Sequence, residues 1–220
     1  MIATGAAIIG LFYFVSLYMQ KVLGYTAIKA GTSQLPLAAG IVFAAAIAAS
    51  LVARLGLRQV LIGGLALFAG GLVWFAQLPV HGSYLADLLG PSVLIALGLG
   101  FAFVPITILA ETGVNDREYG LASGLLNTSQ QVGGALGLAV LTTIATSRTN
   151  HFIASNHTFG QSLTLGFRLG FLGGAAFALL GIVAAATIGT SPGKRSQPPQ
   201  PARHPEPQTP EIASTKSEAL

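Results

Sequence analysis

Residues 120–145 read GLASGLLNTSQQVGGALGLAVLTTIA, a stretch apolar enough to lie in lipid whose first half is crowded with amide and hydroxyl side chains. On a helix, Ser123, Asn127, Gln130, Gln131 and Gly134 stand at i, i+4, i+7, i+8 and i+11 and share one face. Gly120, Gly124 and Thr128 form an adjoining ridge of small side chains, and Gly133 with Gly137 repeats the spacing, so another helix backbone can approach closely. Such a helix has two natural neighbours, a water-filled path and a second helix. Amides facing lipid are costly, so the stripe turns toward protein or water. The plainer alternative is that the amides only bond other helices as packing glue.

Working outward, the chain has 220 residues, 52% hydrophobic and 8% charged, with 28 glycines. A soluble core of this size needs more charge around it, so the composition is that of an all-α, polytopic membrane protein in a lipid bilayer. Seven of the eleven basic residues precede residue 190. They are scattered over loops, with no basic patch and interleaved aromatics, which argues against a nucleic-acid partner. Cysteine is absent, so no disulfide framework or thiolate metal site exists. The first residues enter an apolar run at once, without a basic leader, and are read as a membrane span rather than a signal peptide.

Six spans are predicted. Ile2–Tyr18 is the first, and Gln20–Ser33, with two lysines and two glycines, is a loop or short interfacial helix. Ser33 is placed to cap the second span, which carries Pro36 in its first turn and runs to Ala53. Arg54-Leu55-Gly56-Leu57-Arg58 is too short to do more than reverse the chain into the third span, about Gln59 to Phe75 or Leu78. Gln77–Gly90 is a polar connection, and the fourth span, about Leu88–Ala110, holds Pro105 inside it. An interior proline removes one backbone bond and tends to kink the helix, either at a moving joint or as a static bend. Glu111–Tyr119 is a charged run leading into the long fifth span, and Ser147–Thr164 is a polar loop. The sixth span, Leu165–Thr190, repeats glycine at Gly166, Gly170 and Gly174, a further close-packing ridge. Residues 1–190 thus form the bundle. After Ser191 seven prolines and almost no apolar side chains cannot support a core, so 191–220 is expected to be a disordered tail.

Six spans put both ends on one side. That side holds Arg54, Arg58, Arg117, Lys194, Arg195 and Arg203, against Lys21, Lys29 and Arg148 opposite, which places both termini in the cytoplasm. Arg168 falls inside the sixth span. The histidines His81, His151, His157 and His204 lack ligand spacing, so no metal is expected. No serine has a paired histidine in a nucleophile elbow, and no phosphate or dinucleotide loop is present. No enzymatic chemistry and no cofactor are expected. Asn156-His157-Thr158 fits a glycosylation acceptor, a pattern short enough to arise by chance. Glu111, Asp116, Arg117 and Glu118 form either a loop ion-pair cluster or a solvated charge run, the second being the usual case.

The chain resembles the C-terminal six-helix half of a major facilitator superfamily transporter of the fourteen-span drug:proton antiporter branch. The resemblance is carried by Tyr18-Met19-Gln20-Lys21-Val22-Leu23-Gly24-Tyr25 with Ala30-Gly31, by Gly98-Leu99-Gly100 to Pro105, and above all by residues 120–140. Arg54, Gly56 and Arg58 are similar to the end of that family's cytoplasmic loop motif and serve as loop anchors, while Ala49 and Ala53 stand where the motif has glycine and aspartate. The resemblance implies two six-helix bundles rocking about a central site, with spans one and four lining the cavity and span five between the halves. On that basis Phe12, Tyr13 and Phe101 (or Phe103) join Ser123, Asn127, Gln130 and Gln131 as lining for an amphipathic small-molecule substrate. The acidic residues held to carry protons in that family lie mostly in the other half, and here Asp87 and Glu111 fall near helix ends. The partner is then a missing N-terminal half or a second copy, and a fragment of a longer exporter is the favoured reading. The alternative is a non-transporting membrane subunit that modulates a partner.

Overall fold

A single residue, Gly56, reverses the chain between two membrane-length helices, at φ +88°, where a side chain would strain the backbone. The computed structural model describes residues 1–187 except His81, Gly113, Asp116, Arg117 and His157. The tail 191–220 with His204, the centre of the 111–118 charge run, His81 and His157 therefore lie outside the described residues.

Helix α1 (Ile2–Leu17) runs on into a π-helical turn, Tyr18–Val22, and α2 (Ala27–Thr32) is a short helix capped by the Thr26 hydroxyl. Then come α3 (Leu35–Leu55), α4 (Leu57–Phe75) and α5 (Leu89–Glu111), the last entered through a second π-helical turn, Tyr84–Leu88. Helices α6 (Tyr119–Ala154) and α7 (Phe159–Thr187) complete the set. Among the described residues there is no strand, and five segments are long and apolar enough to cross a membrane: Ile2–Val22, Ala27–Leu55, Leu57–Phe75, Tyr84–Glu111 and Phe159–Thr187. The sixth long helix, α6, spans about 54 Å at 1.5 Å per residue. It falls outside that apolar set because amides and hydroxyls interrupt it.

Two expectations are corrected. Ser33 does not cap the second span: Gln34 precedes α3, without a side-chain cap, and Ser33 closes α2 instead. The loop expected over Ser147–Thr164 shrinks to Ser155–Thr158, because α6 continues to Ala154 and α7 begins at Phe159 rather than Leu165. Residues 146–154 lack glycine and proline, the Arg148 guanidinium lies 4.6 Å over the Phe152 ring one turn on, and Thr149 bonds back to the Ala145 carbonyl at 2.9 Å. A helix end so supported projects beyond lipid without becoming a loop.

The helices pack in two interlocked sets of three. α1 lies on α6 and α5 lies on α3, so the opening helix of each set packs on the middle helix of the other, while α4 bridges α5 and α7. Phe14, Phe68, Phe75 and Phe171 are fully buried at the centre, with Phe75 stacked on Phe171 at 5.3 Å and Phe14 meeting Phe171 at 5.8 Å. At the end opposite Met1 the buried Tyr18 hydroxyl donates to the Pro79 carbonyl at 2.5 Å, and Tyr84 donates to the Ser33 carbonyl at 2.6 Å. Tyr18→Phe should cost about 1 kcal/mol by leaving that carbonyl without its donor, a fall of roughly 2–4 °C in Tm measurable by thermal unfolding in detergent.

Candidate functional site: the exposed face of helix α6

The packing face of α6 follows one spacing. Gly133, Gly137, Leu141, Ala145 and Thr149 recur every four residues and are all buried. A Cβ on Gly133 would strike the Ile2 backbone, and one on Gly137 would strike Ala6, so α1 and α6 cross with their backbones nearly touching. From α7, Gly166 is closed off by Ala145 and Thr149 and Gly170 by the Phe14 ring, whereas a Cβ on Gly174 would meet Leu72 at an ordinary 3.5 Å. Gly120 and Gly124 differ: nothing lies within 4 Å of a Cβ on either. Among the described residues no helix covers them.

The amide stripe divides. Ser123, Asn127 and Gln131 are exposed, while Gln130 is half-buried with its backbone carbonyl against Gly5, and Gly134 is buried under the Ile9 side chain. The division has a physical cause: α1 crosses over the 130/134 edge of the stripe and leaves the 123/127/131 edge open. The Ser123 hydroxyl bonds back to the Gly120 carbonyl at 3.1 Å, and Thr128 does so to Gly124 at 2.8 Å. The side-chain amides of Asn127, Gln130 and Gln131 make no hydrogen bond to any of the described residues. The open edge thus presents two amides, Asn127 and Gln131, without a partner among the described residues, with a ridge of bare backbone beside it.

The aromatic candidates do not gather there. Phe12 is half-buried against the core and Phe101 is half-buried on α5. Tyr13 is exposed with its ring edge-on to Phe14 at 5.4 Å, and it shares a crevice with Thr142 and Thr146 of α6. Thr142 stands eleven residues beyond Gln131, about 17 Å along the axis. Pro105 is buried inside α5, which runs unbroken past it to Glu111. Arg58 donates from its guanidinium to the Ala186 carbonyl in the last turn of α7, one of the carbonyls a helix end leaves without a partner, and Arg54 is exposed.

Sequence reasoning missed two features. The first is a crevice of about 520 Å³ between the two sets of helices at the Met1 end, lined by Met1 and nearly all aliphatic, with Thr4 and Ser129 as its only polar side chains among Ile2, Leu65, Ile106 and Leu126. Ser129 was legible as polar, but it sits about 200° around the helix from Asn127, so the stripe did not include it. The second is the α4–α5 crossing, where a Cβ on Gly98 would lie 2.8 Å from the Gly64 carbonyl oxygen. Among the described residues no three His, Asp or Glu side chains gather as metal ligands.

The Major Facilitator Superfamily model matches residues 1–138. A cephamycin export protein of Amycolatopsis lactamdurans is 38% identical over 151 residues, covering 68% of this chain and 31% of its own length. A puromycin resistance protein of Streptomyces alboniger is 36% identical over 173 residues, 77% of this chain and 34% of that one. A multidrug resistance protein, Stp, of Mycobacterium tuberculosis is 31% identical over 137 residues, 61% of this chain and 25% of the relative. The chain spans about a third of the length of the first two relatives. With a bundle of membrane-length helices and a family model matched over more than half its residues, this chain belongs to the Major Facilitator Superfamily, a family of transporters and not of enzymes.

Proposed function

We propose that the chain is the C-terminal six-helix half of a secondary drug exporter of the cell membrane, moving amphipathic small molecules by alternating access against an N-terminal half or a second copy. One observation carries the reading: Asn127 and Gln131 stand exposed on α6 with no hydrogen-bond partner among the described residues, beside Gly120 and Gly124, where nothing described lies within 4 Å of an added Cβ. Unsatisfied amides in lipid are costly, so this edge meets water or another helix. A transporter half supplies both, a substrate path on one side and the second bundle on the other. The names of the relatives, export and resistance proteins for antibiotics, support the same substrate class.

Both termini lie in the cytoplasm on the count of Arg54, Arg58, Arg117, Lys194, Arg195 and Arg203 against Lys21, Lys29 and Arg148. Transport is coupled to protons through carboxylates of the other half, since the described spans carry Asp87 and Glu111 only at their ends. Arg58, Gly56 and Arg54 anchor the cytoplasmic loop. The test is drug or dye efflux from cells expressing the assembled transporter. Asn127→Leu with Gln131→Leu should lower the initial rate about five- to tenfold, and an unchanged rate reduces these side chains to packing.

A further inference from the structure

We propose that the crevice between α1, α6 and α7, at the end of the bundle opposite Met1, binds an aromatic organic anion whose acid group is held by Lys21. The crevice is about 380 Å³, within the size of small-molecule sites. Phenyl rings wall it: Phe14 and Phe167 lie 5.7 Å apart, and Phe159 lines it from the start of α7. Rigid aromatic faces select a flat ring over a flexible acyl chain.

Its polar groups converge from two helices. Lys21 and Tyr13 come from α1 and its continuation, Thr146 and Asn150 from α6. Thr142 and Thr149 spend their hydroxyls on the Leu138 and Ala145 carbonyls of their own helix. Tyr13, Lys21, Thr146 and Asn150 have no such bond among the described residues. All four are donors, and only Lys21 is charged. At this end Asp87 takes the Ser83 backbone N–H at 2.7 Å, Lys29 lies on the Tyr25 ring and Arg148 on Phe152. Lys21 is therefore an uncommitted cation among uncommitted donors, the complement of a carboxylate or sulfonate. This site stands apart from the α6 stripe, and binding is read without transport, so its failure leaves the export reading untouched.

The test uses the full chain in phosphatidylcholine nanodiscs and a photoactivatable benzophenone carboxylate as probe. Label should appear on peptides covering Ala145–Ile153 or Phe159–Phe167. It should fall about tenfold, the effect of losing one charge contact, in Lys21→Glu, survive in Lys21→Arg, and vanish in Thr146→Trp, which fills the crevice. The matching benzophenone carboxamide should label about tenfold less than the acid. Equal labelling by acid and amide, or labelling that ignores both Lys21→Glu and Thr146→Trp, overturns the proposal. So does loss of label when phosphatidylglycerol replaces part of the lipid, which gives the site to an anionic headgroup.

Discussion

Gly133→Leu should unseat α1 from α6 and lower the stability of the bundle more than any other single change considered. The new side chain would enter space held by the Ile2 backbone, not by a side chain able to swing aside. Relief requires the first turns of α1 to move, and those turns hold Thr4 through Ile8, all buried. Overpacking against backbone costs about 3 kcal/mol, or roughly 6–12 °C in Tm for a chain of this size. Gly137→Leu should behave alike, since Ala6 stands in its way. Thermal unfolding in detergent reads both, and a Tm within a degree or so of the parent would show that α1 is not seated where the backbone contact places it.

Gly124→Leu should do the reverse. Because nothing lies within 4 Å of a Cβ there, the isolated chain should melt at the parent temperature. Efflux by the assembled transporter should drop to the level of cells lacking it, because a leucine on this ridge holds the second bundle away by the width of a side chain. Co-purification with a tagged N-terminal half measures the assembly step directly. Parental efflux from Gly124→Leu would mean that the glycine ridge faces lipid. Together the two glycines, on one helix and only nine residues apart, separate the surface that builds this bundle from the surface offered to another.

Much of this was legible in the residues. An apolar run with Pro36 in its first turn placed the second span within two residues of where it begins, because proline is tolerated in a first turn and disfavoured deeper, and the apolar run from about Leu88 placed the fourth as closely. The five-residue link around Gly56 left only an antiparallel reversal. The end of α6 was not legible: Ser147, Arg148, Thr149 and Asn150 read as a loop by composition, whereas they are helical, with the Thr149 hydroxyl bonded back to Ala145 and a ring under Arg148. Periodicity found the amide face but not its neighbour. Gln130 and Gly134 belong to that face by spacing, yet α1 covers them, and which helix crosses where is settled by packing of residues far apart in sequence. For the same reason the Gly64–Gly98 crossing and the Thr4/Ser129 crevice had no local signal.

The interlocking of α1 with α6 and of α3 with α5 bears on how the protein is made. Nearly a hundred residues separate Val22 from Tyr119, where α6 begins, so at cellular elongation rates α1 sits in the bilayer for roughly ten seconds before its chief partner is translated. During that interval the bare Gly5 and Gly10 face lipid or the insertion machinery, with nothing of this chain to cover them. A ribosome halted after α4 would release a piece whose opening helix has no seat, a natural substrate for membrane quality control.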